Sequence, residues 1–278
     1  MGGYPCEHLA IFSICYNGVK RGLRIEVINM TEYEQLVLNE IEQWRKQLVK
    51  RPSIFGQMTK QAQTKLNTLI PQKAHDIITD SIKHMVKATL VGSYVTTNKK
   101  QPLGDNLYEM DQLFFEKFKS FQKAAVIEGA GTGVGGFLLA LTDFPLLLSI
   151  KIRFLFEVAT IYGYHVEAYE ERMFILYVFQ LAFSSDTKKR QTYDFVCNWN
   201  EKKKFVTDVD WYTFQQEYRD YMDVAKLFQM IPGFGAVVGA YANHNLLEKL
   251  GETAKRAYQL RYLTDRGIIN PDSVSENH

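Results

Sequence analysis

Two long apolar segments, both rich in glycine, place the strongest constraint on how this chain can fold. The first covers residues 129–150 and contains a single formal charge, at Asp143. The second covers residues 227–247, where only His244 can ionise. Each segment is about as long as a helix that spans a bilayer, roughly 20 residues at about 1.5 Å per residue. The segments therefore either meet lipid or form the core of a helical protein.

Small residues recur four positions apart in both segments, a spacing that places them on one face of a helix. The pairs are Gly129 and Gly133, Gly131 and Gly135, Gly235 and Gly239, and Ala236 and Ala240. A helix face without bulky side chains allows a second backbone to approach closely, as happens in membranes. We therefore predict that both segments contact a membrane or pack against other helices. The predicted contact residues are Gly129, Gly131, Gly133, Gly135, Gly136, Asp143, Pro145, Pro232, Gly233, Gly235 and Gly239.

The spacing of apolar residues predicts helices along most of the remaining chain. The predicted helices are 31–51, 57–70, 72–95, 107–123, 146–162, 167–183, 214–228 and 248–263. No persuasive signals for paired strands or hairpins accompany them. The predicted fold class is therefore all-α, a multi-helix bundle with two central glycine-rich apolar helical segments.

Several helix ends carry specific signals. Thr31 and Glu34 match a capping box, in which each residue satisfies a free backbone donor near the other. Asp143 is suited to cap a helix that restarts at Pro145, and Gly163 is suited to end that helix. The stretch 184–212 is the most polar in the chain.

The domain organisation predicted from these patterns is a single helical domain over residues 30–265. Residues 1–29 lack a clean helical period and lack the features of a secretory signal, so we predict a non-native or disordered extension. Glu26-Val27-Ile28 can be encoded by a sequence that resembles a bacterial ribosome-binding site just upstream of Met30, which favours Met30 as the true start. Residues 266–278 are predicted to be a flexible tail.

Composition and motifs exclude several classes of function. The net charge of +2 is too small for a typical nucleic-acid binder. Three sparse cysteines without C-x-x-C spacing favour neither a disulfide framework nor a zinc site, and indicate a reducing compartment. Residues 131–136 match G-x-G-x-x-G, but no second strand or turn follows, as a dinucleotide fold requires. We therefore predict no cofactor, no metal site and no catalytic residues.

Two residues in the first apolar segment bear on whether that segment meets lipid or forms a protein core. A carboxylate at Asp143 near the middle of a bilayer would cost about 2.5–3.5 kcal/mol, and Pro145 beside it breaks the helix. Two arrangements survive: a buried helix pair in a soluble bundle, or a shallow hairpin on the membrane. The mean hydropathy of -0.21 favours a mainly cytosolic body. Basic clusters at 188–190 and 202–204 either touch anionic headgroups or lie in a solvated loop.

Five stretches of this sequence resemble the EcsC family. They are EGAGTGVGG at 128–136, LTDFPLLLSIKIRFLFEVATIYGY at 141–164, IPGFGAVVGAYAN at 231–243, RAYQLRYL at 256–263 and EQLVLNEIEQWRKQLVKRPS at 34–53. The resemblance covers about residues 31–263. It implies a place beside the ATPase and membrane subunits of an ABC transporter linked to protein secretion, in Gram-positive bacteria. It transfers no catalytic residues.

The leading hypothesis is a non-enzymatic, mostly helical cytoplasmic protein, peripherally associated with the inner face of the cell membrane. Its expected partners are the membrane surface and ABC transporter subunits, through residues 129–145 and 231–239. The first alternative is a hydrolase-like enzyme acting on lipid or peptide substrates, with Asp143 and Glu128 beside a glycine-lined pocket. The second alternative is a soluble helical scaffold without membrane contact.

Overall fold

A computed structural model describes residues 30–49, 72–92, 104–133, 144–184, 186–204 and 235–269. These residues contain eight helices and no strand. The helices are α1 Glu32–Val49, α2 Gln72–Val91, α3 Leu107–Gly133, α4 Phe144–Ile161, α5 Tyr169–Phe183, α6 Asp186–Cys197, α7 Trp199–Lys202 and α8 Gly235–Asp265. The predicted all-α fold class is confirmed. The predicted helices at 57–70 and 214–228 and the predicted extension at 1–29 lie outside the described residues.

Local signals account for several helix ends. The backbone N–H of Thr31 donates to Glu34 Oε2 at 2.9 Å, and the backbone N–H of Glu34 donates to Thr31 Oγ1 at 3.2 Å. This is the predicted capping box. Gly163 follows the end of α4 with a φ of 87°, a left-handed conformation that favours glycine, as predicted.

Helices α3, α4 and α8 form the centre of the bundle, and α3 runs antiparallel to α4. Near one end of α3, Asp111 contacts Tyr162, and farther along α3 the ring of Phe121 packs 5.4 Å from that of Phe154 in α4. The ion pair between Lys117 and Glu157, 3.6 Å apart, lies between these contacts. As the residue numbers rise along α3, the numbers of the residues they contact on α4 fall, so the two helices are antiparallel.

Helix α8 is also antiparallel to α3. Gln259 contacts Asp111, and two turns farther back on α8 the backbone of Gly251 lies against the ring of Phe118. A Cβ atom built on Gly251 would lie 2.4 Å from Cε2 of Phe118. No side chain fits between the two helices at this point, and the absence of one allows their close approach.

The other helices cover this central group. Helix α1 contacts α8 through two ion pairs, and α2 packs on α4 and α5. Helix α5 returns along the bundle after a short connection from α4, and α6 runs back along it, with the rings of Tyr177 and Phe195 stacked 5.0 Å apart. Large aromatic residues fill the shared core, among them Phe154, Phe156, Phe174, Phe179, Phe183, Trp199 and Tyr258.

Some boundaries differ from those expected. Helix α3 continues to Gly133 and α8 begins at Gly235, so both helices include glycines from the apolar segments. The polar stretch after Ser184 contains helix α6, because buried residues such as Val196 attach its apolar side to the core. Ile268 and Ile269 lie at the start of the expected tail but are buried, so the packed structure extends at least to residue 269.

Candidate functional site

A buried carboxylate joins four helices at one end of the bundle. Asp111, in the second turn of α3, is 0% exposed. Its Oδ2 accepts hydrogen bonds from the hydroxyl of Tyr33 and from Nε2 of Gln259, both at 2.6 Å. Its Oδ1 accepts one from the hydroxyl of Tyr162, and Nζ of Lys255 lies 3.6 Å from Oδ2. We call these five residues the Asp111 cluster.

Burial sets the protonation of the groups around Asp111. It raises the pKa of Tyr33 and of Tyr162, and the neighbouring Asp111 raises both further. The two phenols therefore keep their protons and act as donors at neutral pH. Burial lowers the pKa of Lys255, and the charge of Asp111 opposes that shift. The ammonium also lies 4.3 Å from the centroid of the Phe115 ring, a favourable cation–π contact.

A second buried carboxylate lies nearby, on α5. Oε1 of Glu171 accepts a hydrogen bond of 2.8 Å from the hydroxyl of Tyr258, and Oε2 accepts one of 2.6 Å from Arg261. The guanidinium of Arg261 lies 3.9 Å from the ring centroid of Tyr164 and 4.5 Å from that of Phe174. Burial raises the pKa of Glu171, against the opposing effect of Arg261. The last turns of α8 thus bind α5 as well as α3.

Two further ion pairs attach α1 to the same part of α8. Arg256 donates to Glu40 Oε2 at 2.5 Å, and Arg266 donates to Glu34 Oε1 at 3.3 Å. The predicted capping residue Glu34 therefore also takes part in a contact between distant segments. The spacing of residues along the chain does not predict these polar contacts. One signal was present: Lys255 and Gln259 lie one turn apart and define a polar face of α8.

The Asp111 cluster is suited to hold helices together. Asp111 has no exposed surface and already accepts three hydrogen bonds, so no substrate can reach it without displacing a helix. Buried carboxylates with complete sets of donors favour one arrangement of the surrounding elements. Within the described residues, no group of three or more His, Cys, Asp or Glu residues is placed to hold a metal ion.

Some of the residues predicted from the apolar segments belong to helix ends that point away from Asp111. Continuing the antiparallel registers of α3 with α4 and of α3 with α8 brings residues 129–133, 144–146 and 235–239 to the same end. We call these three stretches the glycine end. About 20 residues, or roughly 30 Å of helix, separate it from Asp111 along α3. Gly129, Gly131, Gly133, Pro145, Gly235 and Gly239 belong to these helix ends. The predicted residues Gly135, Gly136, Asp143, Pro232 and Gly233 lie outside the described residues.

The helix turns nearest the glycine end are apolar in sequence. Residues 126–133, 144–150 and 235–242 contain one charged residue, Glu128. Leu146, in the first turn of α4, is 54% exposed. Within the described residues, no helix combines the length and apolar composition needed to cross a bilayer.

Exposed cations lie between this apolar zone and the Asp111 end of the bundle. Lys119 and Lys123 lie one turn apart on the exposed side of α3, and Arg153 is exposed on α4. Arg153 follows Leu146 by seven residues, so both lie on the same exposed strip of α4. Lys123 lies ten residues from the end of α3, about 15 Å along the helix. The basic clusters singled out in the sequence do not form a plain solvated loop. Lys188, Lys189 and Arg190 lie in helix α6, and Lys202 forms an ion pair with Asp194.

Comparisons with known proteins identify relatives along most of the chain. The model of the EcsC protein family matches residues 35–263. Protein EcsC of Bacillus subtilis (strain 168) is 47% identical over 231 residues, which cover 83% of this chain and 97% of that protein. A protein named uncharacterized protein YdbA, from the same organism, is 28% identical over 82% of this chain and 92% of its own length. No solved structure matches the chain.

Proposed function

Because this chain belongs to the EcsC protein family, we propose that it is a non-enzymatic accessory protein at the inner face of the cell membrane, acting beside an ABC-type exporter. The glycine end is the membrane contact in this proposal. The bundle behind it, held by the Asp111 cluster, is the cytoplasmic body that meets the exporter subunits.

The feature that supports this proposal is that the helix registers direct three apolar helix ends to one end of the bundle. Residues 129–133, 144–146 and 235–239 come from distant parts of the chain, and charged residues are nearly missing from the turns beside them. An apolar zone at one end suits partial insertion into one leaflet, because a shallow contact does not need a spanning helix. Glycines permit the helix ends to pack closely there.

Leu146 provides a measurable contribution to such a contact. About half of its side chain is exposed, and full burial of a leucine side chain is worth about 1.5–3 kcal/mol. Transfer of the exposed half into acyl chains therefore contributes about 1 kcal/mol. Loss of that contribution lowers a partition coefficient roughly fivefold.

Vesicle flotation of the full chain tests the membrane part of the proposal. The wild type is expected to float with vesicles of phosphatidylcholine and phosphatidylglycerol, and Leu146→Gln is expected to bind about fivefold more weakly. Leu36→Gln is the matched control, because Leu36 is 51% exposed on α1 beside Tyr33, at the other end of the bundle. A wild-type chain that stays unbound on all vesicles would overturn the proposal and favour a soluble scaffold.

Crosslinking in native membranes tests the exporter part. A photoreactive residue at Leu36 is expected to capture the ATPase or membrane subunit of an ABC transporter, because Leu36 lies on the cytoplasmic body. The same group at Leu146 is expected to label lipid. Recovery of no transporter subunit from a set of exposed positions around the body would contradict this part of the proposal while leaving the membrane contact standing.

A further inference from the structure

Three exposed cations lie at nearly the same height on the bundle, behind the glycine end. In the antiparallel register of α3 with α4, Arg153 lies level with Phe121, between Lys119 and Lys123. The three side chains therefore lie within about one helical turn of one another in height, about 14–21 Å from the ends of their own helices. We call Lys119, Lys123 and Arg153 the basic belt.

The three central helices carry a net positive charge in this half of the bundle. Residues 118–133, 144–156 and 235–250 contain five basic and two acidic side chains. One of the acids, Glu248, lies 3.9 Å from His244 on its own helix. The neighbouring Lys117 forms an ion pair with Glu157 of α4, 3.6 Å away.

We infer that the basic belt binds the phosphates of anionic lipids while the glycine end enters the acyl region, which sets α3, α4 and α8 upright on the membrane. This inference rests on the proposed function and adds the lipid class and the orientation. The height difference between Leu146 and Arg153 is about 10 Å, comparable with the depth to which interfacial elements insert. The Asp111 cluster then faces away from the membrane.

The contribution of the basic belt to membrane affinity is expected to depend on the number of its charges. Each lysine near an anionic surface strengthens binding by about fivefold, so Lys119 and Lys123 together contribute about 25-fold. Charges more than about 8 Å from the surface are screened at physiological salt, so cations at the Asp111 end of the bundle contribute little.

A matched pair of lysine variants tests the belt. Lys119→Gln/Lys123→Gln removes two exposed lysines one turn apart on α3. Lys203→Gln/Lys204→Gln removes two lysines, one half-buried and one exposed, that follow α7 directly. Asn200 of α7 donates a hydrogen bond to Asp265, at the Asp111 end of the bundle. The control pair therefore lies at the end opposite the proposed membrane contact.

Flotation is measured on phosphatidylcholine vesicles with and without phosphatidylglycerol. On the anionic vesicles the belt variant is expected to bind about 25-fold more weakly than the wild type, while the control variant is unchanged. On pure phosphatidylcholine all three are expected to bind alike. Equal wild-type binding to both vesicle types, or equal losses for the two variants, would overturn the belt and leave the membrane contact intact. Wild-type binding to neither vesicle would overturn both.

Discussion

The hydroxyl of Tyr33 donates a hydrogen bond of 2.6 Å to Asp111, a residue 78 positions farther along the chain. Tyr33 lies in the first turn of α1 and Asp111 in the second turn of α3, so this contact attaches the N-terminal helix to the centre of the bundle. The same carboxylate oxygen accepts a hydrogen bond from Gln259 of α8. One buried side chain therefore fixes the relative positions of three helices that are distant in sequence.

Removal of the carboxylate is expected to destabilise the protein strongly. Asp111→Ala leaves Lys255, Gln259 and two phenols without their shared partner, and breaking a buried charged contact costs about 3–5 kcal/mol. Tyr33→Phe removes one hydrogen bond to the carboxylate and is expected to cost about 1.5 kcal/mol. Urea unfolding at pH 7, followed by helical circular dichroism, measures both changes.

Tyr108→Phe is the control for Tyr33→Phe. The two rings meet edge to face at 5.1 Å, but Tyr108 is 52% exposed, so loss of its hydroxyl is expected to change stability by less than about 0.5 kcal/mol. Equal effects of the two phenylalanine substitutions would mean that the bond between Tyr33 and Asp111 does not stabilise the fold.

Glu171 is expected to give the stability a defined dependence on pH. Burial raises its pKa in the folded state above the unfolded value, so the folded state binds the proton more tightly. The stability that this proton provides is complete below the unfolded pKa and is lost as pH rises through the folded pKa. Glu171→Gln lacks this titration, so the wild type should lose stability relative to the variant as pH rises from about 4.

Urea unfolding of both proteins between pH 4 and pH 8 measures that difference, whose slope cannot exceed about 1.4 kcal/mol per pH unit for one group. A wild type that instead gains stability relative to Glu171→Gln over this range would show that Arg261, 2.6 Å away, lowers the pKa more than burial raises it.

The sequence was sufficient for features that depend on neighbouring residues. The capping box of Thr31 and Glu34, the left-handed Gly163 and the restart of a helix at Phe144-Pro145 all follow from short-range rules, and the structure has helix ends at these places. Apolar spacing also identified the central helices, because a helix that buries one side must show it every three to four residues.

The polar contacts at the Asp111 end could not be predicted in the same way. Asp111 lies in a phenylalanine-rich helix, and its partners Tyr33, Tyr162 and Gln259 are between 51 and 148 residues away along the chain. The neighbouring sequence does not indicate which polar residue is buried, because burial depends on how the helices pack. Helix α6 was missed for a related reason: its polar composition hides a narrow apolar side that packing on α5 reveals.

Cys197 is expected to resist alkylation in the folded protein. Its thiol is buried, and burial raises its pKa to about 12. At pH 8 only about one thiol in ten thousand is then ionised, against about one in four for an ordinary cysteine, so reaction with iodoacetamide should slow more than a thousandfold. The measurement uses Cys6→Ser/Cys15→Ser, which leaves Cys197 as the sole cysteine. Modification at equal rates with and without 8 M urea would contradict the burial.

A double-mutant cycle at Gly251 and Phe118 is expected to measure the close contact between α3 and α8. In an open helix, Gly→Ala stabilises by about 0.5–1 kcal/mol, because alanine has less backbone freedom to lose. At Gly251 the new methyl group would lie 2.4 Å from the Phe118 ring, so the ring or the helix must shift, at a cost of about 1–3 kcal/mol. Gly251→Ala alone should therefore be destabilising.

Phe118→Leu removes the ring edge that the methyl group meets. In that background the steric cost disappears and the helix preference of alanine remains, so Gly251→Ala should become neutral or slightly stabilising. The expected coupling energy is at least about 1 kcal/mol, from urea unfolding of the wild type, both single variants and the double variant. The same effect of Gly251→Ala in both backgrounds would mean that the helices separate freely here, and that the missing side chain does not set their distance.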